Sequence, residues 1–488
     1  MESWVIVLLV TVGYLVLSLA VGLASAGKAS AGSEGYVAGD RTFGFLVMYF
    51  VMGASVFSAF TFLGGPGWAY SRGAAAFYLL GFLSIGLVPT YFFGPRVARL
   101  GRKFGYVTQA QLFAHRYESR YIPPVLALIS LVAFVPYLTL QMEGAGYVFS
   151  VLTEGRMPEW AGAGVTYGVV LIYVFRSGVI GVAWTNTFQG VLMMALAWGL
   201  GLYLPYRLHG GIGPMFARLA DTVPAMLTVP GLDAAGDPWT WGAYSSSVAV
   251  SAFGFSVWPH YFMKIYTARS IRTLKQTVVF FPTFGFFLLP IMFIGFSGVL
   301  AFPDVTPADT ILPTIVTSMD LPPLVVGLFC AGALAASMSS GDAIVHAASA
   351  VVVKDFYKVL VRPDIDDRRE TWLIKVMVVV IGAVAYYFAI YSELSLVLLL
   401  LLSYGALAQI FPAVLAALYW RRSTPAGVLG GLLAGCLVTL VWNLFPALQW
   451  LDIHPGIWGL AVNVTVMVVM SFATPPMSEE HVGTFVNA

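Results

Sequence analysis

Thirteen predominantly apolar stretches run along the chain, at approximately 3–25, 45–70, 74–95, 121–152, 161–175, 183–205, 241–263, 277–302, 323–353, 373–391, 395–420, 426–446 and 456–474. A helix needs about 20 apolar residues to cross a bilayer, and short polar connections separate these stretches. The pattern predicts an all-α polytopic membrane protein of about 13 transmembrane helices. The first run follows Met1-Glu2-Ser3-Trp4 without a basic leader and is long enough to span, so it reads as a retained helix rather than a cleaved signal peptide.

Charge placement tests the count. Cytoplasmic loops carry the excess of Lys and Arg. With the N-terminus outside and the C-terminus inside, 21 of the 25 basic residues fall on inner segments, and only Arg72, Arg156, Arg207 and Arg218 fall outside. A wrong number of spans would have scrambled that ratio. Composition agrees: 59% of residues are hydrophobic and 10% charged, and mean hydropathy is +0.85, whereas soluble domains carry about 25% charged residues. The net charge of +2 and the lack of a binding motif point away from nucleic acid. Cys330 and Cys436 lie inside apolar runs, as small packing residues do. No metalloprotease, redox-dithiol, phosphate-loop or nucleophile-elbow motif is present, so an enzyme is not expected.

Two spans carry breakers. The second reads Ser55-Val56-Phe57-Ser58-Ala59-Phe60-Thr61-Phe62-Leu63 before Gly64-Gly65-Pro66-Gly67, and the seventh reads Ser251-Ala252-Phe253-Gly254-Phe255-Ser256-Val257-Trp258-Pro259. Both contain Ser-Ala-Phe-x-Phe. They lie five spans apart, and because five is odd, five-helix units starting at these helices would be mutually inverted. Discontinuous helices in matching positions of two repeats commonly mark a transporter's site; kinks with a packing role are the other reading. In the ninth span, Ser339-Ser340-Gly341-Asp342 places a carboxyl mid-helix, where it costs about 2.5–3.5 kcal/mol by insertion scales and is either functional or paired. Ser339 and Ser340 offer neutral oxygen ligands of the kind hard cations favour, or pack helices through small residues. Glu143 either lines an aqueous path or pairs with a base. His346, one turn from Asp342, is a proton relay or a hydrogen-bonded structural histidine.

These landmarks resemble the sodium:solute symporter family over nearly the whole chain. The similar segments are Tyr36-Val37-Ala38-Gly39-Asp40-Arg41, Thr108 through Tyr117, Trp184-Thr185-Asn186-Thr187-Phe188-Gln189, and Ala335 through Ser340 with Asp342 and Lys354-Asp355-Phe356-Tyr357. The resemblance implies a leucine-transporter-like fold: two inverted five-helix repeats with broken first helices, one extra helix before and two after. The units expected are 1–44 (extra N-terminal helix and cytoplasmic loop), 45–205 (first repeat), 206–240 (external loop), 241–422 (second repeat), 423–474 (two extra helices) and 475–488 (cytoplasmic tail). It also implies a sodium site at the carbonyls of Ala54, Phe57 and Ala336 and the hydroxyls of Ser339 and Ser340. Asn186 and Asp342 then belong to the ion pathway.

Departures from the family pattern narrow the solute. Val56 stands where proline-transporting members have aspartate, and Ala59-Phe60 where sugar-transporting members have Glu-Gln. Asn186 replaces an acidic residue of the ion's inner pathway. Trp258-Pro259-His260-Tyr261-Phe262-Met263-Lys264 resembles the monocarboxylate branch. The expectation is a cation-coupled symporter, with sodium as the ion, importing a monocarboxylate such as acetate, lactate or pyruvate in a bacterial inner membrane. Substrate-facing positions are expected near Ser55, Ser58, Gln141, Phe255 and Trp258. Alternatives are another solute (pantothenate or an amino acid), proton coupling, or a solute-sensing module. The only partners expected are the solute, the cation and the bilayer, with no cofactor.

Overall fold

The structure, a computed structural model, describes residues 2–153, 155–391, 403–445 and 451–488. In chain order it contains α1 (Ser3–Ala24), α2 (Ser33–Ala38), α3 (Phe45–Ala54), α4 (Gly65–Arg72), α5 (Phe77–Gly86), α6 (Val88–Phe104), α7 (Gln109–Tyr117), α8 (Ile122–Leu152), α9 (Glu159–His209), α10 (Ile212–Thr222), α11 (Trp241–Val257), α12 (Pro259–Ile265), α13 (Ile271–Gly285), α14 (Leu288–Ala301), α15 (Ile311–Ser318), α16 (Pro323–Val351), α17 (Lys358–Leu360) and α18 (Asp367–Tyr391). Then follow α19 (Ser403–Tyr419), α20 (Pro425–Leu444), α21 (Pro455–Ala473) and α22 (Glu479–Val486). Nine helices among the described residues are long and apolar enough to cross a membrane, and two of these stretches, Phe60–Phe104 and Glu159–His209, far exceed one crossing. The expected span at 395–420 and the ends of 426–446 fall partly outside the described residues.

At the centre stands α16. Every residue from Phe329 to Val351 on it is buried, because α1, α8, α9 and α18 surround it. Its alanines, serines and glycines let those neighbours approach closely. Peripheral helices show the opposite pattern. On α1, Leu9, Val16 and Leu17 are 58%, 61% and 49% exposed, a greasy outer face that suits acyl chains rather than water.

The expected spans 161–175 and 183–205 form one helical stretch, α9, interrupted at Gly178 (φ 56°, ψ −146°). Only glycine adopts such dihedrals readily, and a Cβ there would lie 2.5 Å from the Tyr36 carbonyl oxygen. Asp342 Oδ2 clips the two arms across this break, accepting from Tyr173 Oη at 2.7 Å before it and Thr185 Oγ1 at 3.1 Å after it. Gly178→Ala combines a left-handed alanine, about 1–2 kcal/mol, with a backbone clash. Its melting temperature in detergent is expected to fall clearly; a variant melting with the parent would remove the hinge role of Gly178.

Two features correct the sequence reading. The second span does not break at Gly64-Gly65-Pro66-Gly67. It unwinds earlier, over Ser55–Ser58, and resumes through a π-helical turn, Phe60–Gly64, that runs directly into α4 with Pro66 in its first turn. Proline is tolerated there because first-turn amides lack helical partners anyway. The shared pentapeptides therefore sit differently: 58–62 follows the first break, whereas 251–255 precedes the second. The end of the chain is also more than a polar tail, since α22 docks Phe485 against Phe104 and His115.

Candidate ion and substrate site

The second break follows directly from its sequence. Proline pushes the residue before it out of the helical region, and Trp258 has φ −56° and ψ 128° between α11 and α12. The first break leaves carbonyls without helical partners. Val56 N donates to Gly53 O at 3.0 Å, Phe57 N to Ala54 O at 3.1 Å and Ser58 N to Val56 O at 2.9 Å, a tightened turn in place of an α-helical one. One end of the bundle ties the two broken helices together: Phe43 N donates to Thr267 O at 3.1 Å, and Arg269 N to Phe43 O at 2.9 Å.

α16 meets the unwound segment with its paired hydroxyls. Ser339 Oγ donates to Ala54 O at 3.0 Å and to Ala336 O at 3.2 Å, and Ser340 Oγ donates to Ser55 O at 3.0 Å. Ala54, Ala336, Ser339 and Ser340 are thus brought to one spot, with Phe57 held against Ala54 through its amide. All five are buried. Asn186 Nδ2 reaches Ser55 Oγ at 3.3 Å, while Asn186 Oδ1 and Asp342 Oδ1 have no hydrogen-bond partner among the described residues. The cluster therefore offers several oxygens, carbonyl and hydroxyl, contributed by two helices.

On the other side of the same segment lies a cavity of about 50 Å³, lined by Val56, Ser58, Phe60 and Thr61 of the first broken helix and by Phe255, Trp258 and Tyr261 of the second. Tyr78, Tyr137 and Tyr404 add ring walls. None of its lining residues is charged. Trp258 Nε1 is buried without a partner. Of the five positions expected to face substrate, Ser58, Phe255 and Trp258 line this space. Ser55 instead turns to Val51 O (2.7 Å), and Gln141 Oε1 accepts from Ala59 N at 2.7 Å, bracing the break from α8.

Phe60 also borders a second, open cavity of about 350 Å³ that includes Glu143, Glu159 and Asp309. It is the common wall between an acidic vestibule and the inner chamber. Burial raises the Asp309 carboxyl above the usual range, against the pull of Arg72. Glu143 lines this open cavity and forms no ion pair among the described residues. His346 Nε2 lies 3.0 Å from Tyr36 O, the hydrogen-bonded reading.

The opposite, basic end is held by ion pairs and hydrogen bonds. Glu370, buried, holds both Lys354 and Lys358, the latter at 2.6 Å. Lys354 Nζ also donates to Ser33 Oγ at 2.9 Å, Asp367 Oδ1 accepts from Ser33 N at 3.1 Å, and Asp355 Oδ1 accepts from Thr108 Oγ1 at 2.6 Å. Arg41 ties the loop to the Tyr106 and Tyr266 carbonyls at 3.0 and 3.2 Å.

A broken helix that meets α16 at a buried oxygen cluster, and an uncharged chamber between the two broken helices, fit a coupled transporter, and the comparisons agree. The model of the sodium:solute symporter family matches residues 36–435. The chain belongs to that family. The symporter is 30% identical over 479 residues to an uncharacterized symporter, YhjB, of Bacillus subtilis, covering 96% of this chain and 97% of that one. It is 28% identical over 485 residues to the sodium/pantothenate symporter of Escherichia coli, 95% of each, and 25% over 460 residues to a monocarboxylate transport permease protein of Rhizobium johnstonii, 90% of each. Among solved structures, a Na+-coupled sialic acid symporter superposes with a TM-score of 0.80 at 19% identity, covering 97% of this chain and 98% of that one. The fold is leucine-transporter-like, the chain is an integral membrane transporter rather than an enzyme, and its class is sodium-coupled symport of a small solute. Sequence reasoning missed Lys264, Tyr173 and Thr185, which the structure brings to the buried cluster. Lys264 falls just past an expected span, where a lysine reads as a loop charge, and its position after Trp258-Pro259 is the available signal.

Proposed function

We propose that the symporter imports a small monocarboxylate such as acetate, lactate or pyruvate with sodium. The substrate occupies the inner chamber, and the cation sits among Ala54, Phe57, Ala336, Ser339 and Ser340. The observation that carries the substrate class is the chamber itself. A volume near 50 Å³ suits a solute of a few heavy atoms. Its polar groups are neutral donors, the indole N–H of Trp258 and the hydroxyls of Ser58 and Tyr137, which suit a carboxylate, with no lining acid to hold an amino group. The vestibule is the external entrance and the Lys354–Glu370 end the cytoplasmic one, as the 21-to-4 division of basic residues supports. Cation binding steadies the unwound segment, solute closes Phe60 over the chamber, and the basic end then opens. Coupling requires that ion and solute strengthen each other's binding equally.

The test is uptake of radiolabelled pyruvate into proteoliposomes under an inward sodium gradient, with an equal proton gradient for comparison. Sodium-driven uptake, competed by acetate and lactate but not by pantothenate or proline, is expected. Competition by pantothenate or proline alone would overturn the substrate assignment. Trp258→Phe removes the free donor while keeping an aromatic wall. A lost hydrogen bond to a charged group is worth about 1.5–3 kcal/mol, so KM for pyruvate should rise about 10–100-fold. An unchanged KM would take Trp258 out of the binding site.

A further inference from the structure

Lys264 belongs neither to the chamber lining nor to the proposed sodium ligands, yet α12 drives it into the same unwound segment. It is buried, and its Nζ donates to Val51 O at 2.7 Å and Ser55 Oγ at 2.5 Å. Ser55 directly follows Ala54, and its own carbonyl accepts from Ser340 Oγ. The amine therefore sits one residue along the chain from the expected cation. Among the described residues it forms no ion pair.

The surroundings suit both protonation states of this amine. A lysine ammonium has three donors, and the neutral amine has two N–H groups and a lone pair. The two hydrogen bonds present saturate the neutral form. The charged form has one N–H left, and a cavity of about 20 Å³ adjoins Lys264, His260 and His346, enough for one water. Both ring nitrogens of His260 are buried without partners, ready to meet such a water. The titratable groups around Nζ are Tyr261 (ring centroid 4.9 Å away) and His260 on its own helix, and Asp342 and His346 on α16. α3 contributes the Val51 and Ser55 oxygens. The other packed elements contribute neutral groups: the Asn186 amide from α9, Phe93 stacked on Phe262 from α6, and Gln109 from α7, which donates to Val257 O.

We propose that Lys264 is the proton-exchange partner of the sodium site: sodium and a protonated Lys264 exclude one another, so one proton leaves Nζ for each sodium ion that enters and returns when that ion leaves. The step balances as free Na+ plus the Lys264 ammonium giving bound Na+, the neutral amine and a proton in the medium. It rests on the sodium ligand set proposed above. At an effective dielectric of about 20, two like unit charges separated by one residue's span repel enough to weaken binding about 100-fold. Losing the proton removes that repulsion while both hydrogen bonds remain. In the ion-free carrier the ammonium takes the cation's place in holding the broken helix to α12.

The experiment needs no substrate. Purified full-length protein in weakly buffered detergent is mixed with sodium from pH 5.5 to 9, with choline as control. A pH indicator counts protons released, and 22Na+ scintillation proximity counts ions bound. Release approaching one proton per sodium is expected in the pH window where Lys264 loses its proton, with half-saturating sodium falling about tenfold per pH unit, and about 100-fold in all, until Lys264 is neutral. Lys264→Gln should bind sodium at a pH-independent affinity without proton release, and Lys264→Arg, permanently charged, should bind about 100-fold more weakly at every pH. Should Lys264→Gln not fold, the natural protein's stoichiometry decides. Sodium binding without release, or release that persists in Lys264→Gln and vanishes in Asp342→Asn, would overturn the proposal. Absence of sodium binding to the natural protein and to Lys264→Gln alike would instead bring down the sodium site, and this inference with it.

Discussion

Replacing Ser340 with alanine is expected to raise the sodium concentration for half-maximal uptake about 10–100-fold, with little change in folding. The hydroxyl donates to Ser55 O at 3.0 Å. In the proposed ion-bound form its oxygen turns to the cation, and oxygen interactions with a charged partner are worth about 1.5–3 kcal/mol. Ser339→Ala should behave alike, because Ser339 Oγ bridges Ala54 O and Ala336 O across the two helices. Ser337→Ala is the control. Its hydroxyl donates to Gln141 O at 2.7 Å on α8, so the loss should appear in thermal stability and leave sodium dependence alone. Unchanged sodium dependence in both Ser339→Ala and Ser340→Ala would move the cation elsewhere.

The second large effect concerns the ion-paired basic end. Glu370 is 1% exposed and neutralises Lys354, itself 7% exposed. Removing one partner of a buried pair leaves an uncompensated charge, at about 3–5 kcal/mol. Glu370→Ala should therefore release α2 and its Ser33 contacts, tilting the carrier toward the conformation open at that end by a factor of at least about 100. Hydrogen exchange across 28–41 should speed up and net uptake should drop more than tenfold, whereas sodium affinity at the distant cluster should change little. Exchange rates equal to the parent's would show that this network is not the gate.

How legible these features were in the sequence depended on how local their causes are. Trp258-Pro259 announces its break because proline acts on its immediate neighbour. The first break could not be placed as well. Gly64-Gly65-Pro66-Gly67 looked like the interruption, but proline suits a first helical turn, and the helix actually gives way at Ser55–Ser58, where α16, nearly 300 residues on, supplies hydroxyls for the freed carbonyls. Asp342 was recognisable as a costly group in an apolar run, but its partners Tyr173 and Thr185 were not, since only the Gly178 turn brings both to it. Lys264 was hidden for a related reason. Near the end of a span, a lysine reads as a snorkelling loop charge, and nothing in the local pattern reveals that the short helix after Pro259 points it inward.

The shared wall at Phe60 has a pharmacological consequence. A single ring divides a roomy acidic antechamber from a chamber seven times smaller, so what may enter and what may be carried are judged at different places. A molecule with a small carboxylate head for the chamber and a bulky, positively charged tail for the antechamber would lodge across the boundary and hold the ring aside. Such a compound would be a blocker that is never cargo, and the longer its tail, the more firmly it would jam the doorway.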